Sequence, residues 1–283
     1  MTVHPFVSGL PGTIVDTHAY VFHSGLEAVP GCGRKPGHDV SLDNYLALLA
    51  ANGLTNGVLV QPAFLGRDNR FLLASLERAQ GRCRGVAAAD PASGAAMLES
   101  MNGAGVVGIR LDFFGVPPPD LAAPAWQGLL EIVNALDWHV EVHCAMDQLP
   151  DVAGSLLAQE CKVVVDCFGS PDFFGSPDSR AGVEPEPLRR LLDLASTGRV
   201  WLKLSAGGRI GPEYRVEPEK AMVQLFIQHF SPRRLMWGSN WPRAGHDAAH
   251  DYRAGLNWLV NSVENPEDAL QMLSDTPKDL FRF

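Results

Sequence analysis

The sequence predicts a (β/α)8 barrel, and three observations carry that prediction. Short apolar, β-rich runs alternate with amphipathic stretches along the whole chain. The runs are continuous instead of alternating polar with apolar, as strands covered on both faces are. About eight strand–helix units follow one another without a break in composition, which favours right-handed crossovers and closure of the sheet. An open doubly wound sheet is the runner-up. No Gly-x-Gly-x-x-Gly follows the first strand, so nothing supports a dinucleotide site. A length of 283 residues fits a single barrel domain spanning 1–283.

Taken in order, the strands are expected at 14–16, 55–61, 84–89, 106–112, 139–143, 162–166, 200–204 and 234–238. Between them, Ser41 precedes LDNYLALLAANG as an N-cap, and Gly53 sits where a C′ residue belongs. Further helical patterns cover 69–79, 124–136, 187–196, 217–230 and 251–263. The segment 169–187 is long, rich in Pro and Gly, and begins just after a strand end. Such loops commonly form lids or walls of sites.

Composition narrows the partners. A net charge of −9 argues against nucleic acid, which needs clustered Lys and Arg. A few inward-facing arginines still suffice for a small anionic substrate. Cys32, Cys83, Cys144, Cys161 and Cys167 are scattered and form no CxxC pair, which favours reduced thiols and a cytoplasmic location. The first residues, MTVHPFVSGLPG, lack a basic stretch followed by an apolar one, so no secretion signal is expected. No apolar run approaches the roughly 20 residues of a membrane helix. A homo-oligomer is compatible with all of this.

In a barrel, residues at the C-terminal strand ends converge on one site. Here they are Asp16, His18 and Tyr20, then Gln61, Asp90, Arg110 and Asp112. His143, Cys144, Asp166 and Cys167 follow, then Lys203, Ser205 and Arg209, and finally Asn240 and Trp241. Singly, each has an ordinary structural role open to it: a hydrogen-bonded His, a buried Cys, an Asp capping a turn, a Ser satisfying loop backbone. Their concentration on one rim carries the signal.

At these residues the chain resembles the amidohydrolase-related hydrolases, within them the branch typified by 2-pyrone-4,6-dicarboxylate lactonase. The resemblance rests on DTHAYVF at 16–22, GVLVQPAFLGRDNRFLL at 57–73, RGVAAADP at 84–91 and GVVGIRLDFFG at 105–115. It continues through WHVEVH at 138–143, VVVDCFGSPD at 163–172, VWLKLSA at 200–206, RLMWGSNWP at 234–242 and the final TPKDLFRF. It implies a TIM barrel, a catalytic set of His18, Tyr20, His143, Cys167 and Asn240, and Arg110, Lys203, Ser205 and Arg209 around the substrate. The departures are specific. The family's His-x-His pair is His18 and Tyr20 here, its strand-six His is Cys167, and its branch-specific Arg is Ser170. Its strand-eight Asp is Asn240. The segment 31–39 lacks the branch's aromatic contact and offers Arg34, Lys35 and His38, either as added charge or as a solvated loop.

Metal-dependent members of the family bind a divalent ion through the His pair, a strand-five His and the strand-eight Asp. Tyr20 and Asn240 are poor ligands, which leaves His18, His143 and Cys167 as candidates for an ion such as zinc and makes no cofactor the expectation. The lactonase branch is understood to work without metal, its strand-eight Asp activating water. An amide cannot accept that proton, and general base catalysis contributes about 10²–10⁴-fold. Three readings follow. One is a hydrolase of a small carboxylated lactone with His143 or another group as base and arginines clamping the carboxylates. Another is a barrel that binds a small anion without hydrolysing it. The third uses Cys167 as a nucleophile beside a histidine.

Overall fold

The computed structural model describes residues 12–30, 35–169, 186–205, 216–242 and 248–283. Eight parallel strands form one sheet in the order of the chain: β1 (Val15–Ala19), β2 (Asn56–Val60), β3 (Cys83–Ala88), β4 (Val106–Asp112), β5 (His139–His143), β6 (Lys162–Val165), β7 (Val200–Ser205) and β8 (Leu235–Gly238). Asn240 N donates to His18 O at 2.8 Å and Tyr20 N to Trp241 O at 2.8 Å, so β1 meets the end of β8 and the sheet curls into a barrel. Helices α1 (Leu42–Ala51), α2 (Arg70–Ala79), α3 (Ala95–Gly103), α4 (Pro124–Ala135), α5 (Leu149–Leu157), α6 (Glu186–Asp193), α7 (Val216–Phe230) and α8 (Ala248–Ser262) connect successive strands or follow the last. The chain ends with α9 (Pro266–Leu270), a π turn at Gln271–Asp275, and α10 (Thr276–Phe281).

The local signals act as expected where they are strong. Ser41 accepts from Asn44 N at 3.1 Å at the start of α1, and Gly53 adopts φ 78° after it. Strands β4 and β5 have the bounds read from their apolar runs. Strand β1 extends past Asp16 to Ala19, because Thr17 Oγ1 donates to Trp237 O at 2.9 Å and His18 and Tyr20 find backbone partners across the seam. Helices α3 and α5 escape the sequence reading. Helix α3 starts at Gly94 without a side-chain cap and buries only Leu98 and Met101, while α5 has no side-chain cap and carries Pro150 and Gly154.

Two packed clusters flank the sheet. The smaller joins Val15, Val58, Val60, Val86, Val107, Val164 and Met236 from the strands to Leu280 and Phe281 of α10. Branched side chains pack a barrel interior well, and α10 closes one end of it. The larger cluster lies between the strands and the surrounding helices. Close approach demands glycine on the strands, at Gly108 and Gly238 among others. A Cβ on Gly108 would lie 2.4 Å from the His139 ring, and one on Gly238 would lie 2.6 Å from His18 Cβ.

His139 is fully buried, with its ring edge-on to Phe281 at 5.3 Å. Neither ring nitrogen has a well-formed hydrogen bond among the described residues. Burial, with help from the Lys203 charge, lowers its pKa from the usual 6.5 to about 3. Between those values the unfolded chain holds a proton that the folded chain refuses, so stability must fall as pH drops through that window. Each pH unit there costs about 1.4 kcal/mol. Urea unfolding at pH 7 and pH 5 checks this: His139→Leu is expected to reduce the acid-side loss by roughly 2 kcal/mol relative to the native chain. An unchanged loss removes His139 from the account.

Among the described residues, no helix is long and apolar enough to cross a membrane. The loop expected over 169–187 falls largely on 170–185, outside the described residues, as do residues 1–11, Cys32 and Arg34. His38 packs edge-on to Phe22 at 5.8 Å.

Candidate active site

Above the apolar interior, β1, β4, β5, β6 and β7 bring charge into the barrel. The side chains of His18, Glu141, Asp166 and Lys203 have no solvent exposure, and that of Arg110 has 6%. Charges this buried persist only when paired. Lys203 Nζ donates to Glu141 Oε2, lies 3.4 Å from His18 Nδ1 and 3.8 Å from Asp166 Oδ1. Arg110 spans two acids: Nε donates to Asp166 Oδ2 and Nη1 to Asp112 Oδ2, both at 2.9 Å. Burial pushes the Glu141 carboxyl up, and the nearby Asp166 charge adds to it. Burial alone would raise Asp166 too, but its neighbours His18, Arg110 and Lys203 hold it well below the usual carboxylate range.

Burial lowers the pKa of His18. Asp166 Oδ1 at 3.3 Å, Lys203 Nζ at 3.4 Å and Glu141 Oε1 at 3.5 Å surround its Nδ1, and its Nε2 pairs with Tyr20 Oη at 2.7 Å. The half-buried Tyr20 keeps its own proton, because burial raises its pKa.

A second histidine sits at that mouth. His143 Nδ1 is 3.0 Å from Asp112 Oδ1, and its side chain is 20% exposed. Phe114 stacks on its ring at 5.1 Å with planes 11° apart. Asp112 also accepts from Phe114 N at 3.2 Å. Burial pulls its pKa up, but the bonds from His143 and Arg110 outweigh that and keep it ionised. A carboxylate on Nδ1 fixes the ring so that Nε2 presents a lone pair. This is the geometry of a general base.

The remaining expected residues take structural places. Asn240 is half-buried at φ 55°, tied by its backbone to His18 O. The turn before it is clamped by Asp16, whose Oδ1 accepts from Ser239 N at 2.8 Å and whose Oδ2 accepts from Ser239 Oγ at 2.7 Å and Tyr45 Oη at 3.1 Å. Ser205 Oγ accepts from Cys167 N at 3.2 Å and lies 3.6 Å from Cys167 Sγ. Burial raises the Cys167 thiol to about 11, which leaves it a poor nucleophile. Lys203 and Ser205, expected at the substrate, are both fully buried, Lys203 donating to Glu141 and Ser205 accepting from Cys167 N. Arg209 and Ser170 lie outside the described residues.

The expected metal candidates do not come together. Among the described residues, the one set of His, Cys, Asp and Glu able to share an ion is His18, Glu141 and Asp166, not His18, His143 and Cys167. His143 is instead held by Asp112 and Cys167 by Ser205. Even the observed trio does not fit a divalent ion as it stands, since the Lys203 ammonium already lies against all three. Glu141 is not among the strand-end residues expected from the sequence, whereas Asp166 is. The available signal was one acid and one base, Glu141 and Lys203, each alone inside an apolar strand.

Comparisons with known proteins agree with this architecture. The amidohydrolase family profile matches residues 15–283. A 4-sulfomuconolactone hydrolase from Rhizobium radiobacter is 29% identical over 249 residues, covering 86% of this chain and 80% of the relative. A 2-pyrone-4,6-dicarboxylate hydrolase from Comamonas testosteroni is 28% identical over 292 residues, covering 96% and 91%. A solved Pseudomonas putida structure, assigned as a 2-pyrone-4,6-dicarboxylic acid hydrolase, superposes with a TM-score of 0.85 at 33% identity, covering 96% of this chain and 98% of that one.

Proposed function

The chain belongs to the amidohydrolase family, and from that premise we propose that it hydrolyses a small carboxylated lactone without a metal ion, with the Asp112–His143 pair as general base. The Asp112–His143 contact at the barrel mouth is the observation that carries this reading. The relatives that hydrolyse 4-sulfomuconolactone and 2-pyrone-4,6-dicarboxylate supply the substrate class. Asn240 cannot accept a proton, whereas His143 Nε2 can.

Tyr20, oriented by His18, donates a hydrogen bond to the lactone carbonyl as negative charge gathers there. Arg110 lies close enough for its charge to act on Tyr20, and that field favours an oxyanion. His143 takes a proton from water as the hydroxyl adds to the carbonyl carbon. The tetrahedral intermediate then expels the ring oxygen, which receives that proton from His143. One ester C–O bond breaks, and a carboxylic acid and a hydroxyl result. The buried, unbridged thiols of Cys83, Cys144, Cys161 and Cys167 support a reducing, cytoplasmic setting.

A panel of carboxylated lactones, followed by loss of the ring chromophore and by acid release, tests this directly. Turnover of at least one is expected, and Cys167→Ser should keep kcat within about threefold because that thiol is protonated. A second reading, binding of a small anion without hydrolysis, draws on Asn240. It prevails if no lactone is turned over while dicarboxylates raise Tm.

A further inference from the structure

Strands β1 and β5 and the residue just after β6 bring donors to one buried point. His18 Nδ1, Glu141 and Asp166 present atoms that lie within 4.8 Å of one another. Glu141 Oε1 and Asp166 Oδ1 are fully buried and have no hydrogen-bond partner among the described residues. Two unpartnered carboxylate oxygens beside an imidazole nitrogen form a cation-binding donor set of hard and borderline ligands. What keeps the set stable is Lys203, on the facing strand β7. Its ammonium bonds Glu141 and lies 3.4 Å from His18 Nδ1 and 3.8 Å from Asp166 Oδ1. The Arg110 guanidinium, 3.7 Å from Glu141 Oε1, supplies the second positive charge. Lys203 and Arg110 thus face three carboxylates, Glu141, Asp166 and Asp112, and a divalent ion added beside Lys203 would leave the group with net positive charge.

We propose that the Lys203 ammonium is a built-in substitute for a divalent cation, and that removing it opens a metal site made by His18, Glu141 and Asp166. Lysine brings a point charge on a flexible stem, so it can sit at the centre of such a set where arginine's planar fork cannot. Loss of the side chain leaves a cavity already lined by one nitrogen and two carboxylates, and an ion there restores the charge that the two acids need. This set differs from the positions of His18, Tyr20, His143 and Asn240 that align with the family's ligands. The inference holds whether or not the chain turns over a lactone.

The test is metal analysis and thermal unfolding of the full chain, native and Lys203→Ala, equilibrated with zinc chloride or manganese chloride and then desalted. The native chain is expected to retain less than about a tenth of an equivalent, and Lys203→Ala about one. Zinc should raise the Tm of Lys203→Ala and leave that of the native chain unchanged. Adding His18→Ala or Asp166→Asn to Lys203→Ala should abolish retention. Lys203→Cys, which adds a thiolate donor, serves as a second variant and should hold zinc more tightly. The proposal is overturned if folded Lys203→Ala retains no metal. It is equally overturned if the native chain holds a full equivalent that Asp166→Asn removes. Failure of both Lys203→Ala and Lys203→Cys to fold in metal-supplemented medium also overturns it, because the ion is required to replace the lost charge.

Discussion

Replacing His143 by Asn is expected to lower kcat/KM for a carboxylated lactone by about 10²–10⁴-fold, the range that general base catalysis contributes. Asn keeps a hydrogen-bonding group near Asp112 and about the same bulk, but it cannot take a proton. The loss should fall on kcat, since His143 acts on water and not on the bound substrate. Asp112→Asn separates the two members of the pair. Asp112 accepts from His143 Nδ1, from Arg110 Nη1 and from Phe114 N. An amide offers only one oxygen for these donors, so one of them must face an NH2 group. A loss of about 10–100-fold is expected, the usual cost of removing a group that orients a catalytic ligand. Steady-state kinetics on purified variants read both effects. If His143→Asn keeps native kcat, the base is elsewhere.

Replacing Lys203 by Met is expected to cost about 3–5 kcal/mol of stability, the penalty for stranding one member of a buried ion pair. Met matches the length of the stem but leaves buried Glu141 without its hydrogen-bonded cation. The double variant Lys203→Met with Glu141→Leu removes both charges and should recover most of that loss. Urea unfolding of the native chain, both single variants and the double variant gives the coupling energy directly. A single-variant cost under about 1 kcal/mol contradicts a buried charge pair.

Much of this arrangement is visible in the sequence, and the missing parts share a cause. Continuous apolar runs place all eight strands, because parallel strands covered on both faces leave that mark. The limits of β1 do not show, because Thr17, His18 and Tyr20 take partners from Trp237, Asn240 and Trp241 more than two hundred residues away. Of the site, His18, Tyr20, Arg110 and His143 are legible as strand-end residues. Their roles depend on side-chain pairing, which strand spacing does not encode. Asp112 stands out only once its contact with His143 is known, and Glu141 only once Lys203 is seen across the barrel. Lys203 and Ser205 look like substrate contacts in the sequence because they share a strand end with the mouth, yet both are fully buried, Lys203 bonded to Glu141 and Ser205 to the Cys167 backbone.

The central claim is that the proton acceptor is His143 held by Asp112, and that position 240 has given up that role. The kcat/KM of Asn240→Asp, measured beside the native chain on the lactone with the fastest turnover, tests it most directly. A value within about tenfold of native is predicted, since one general base already operates. A native chain without activity that gains turnover when Asp is restored at 240 would contradict the claim.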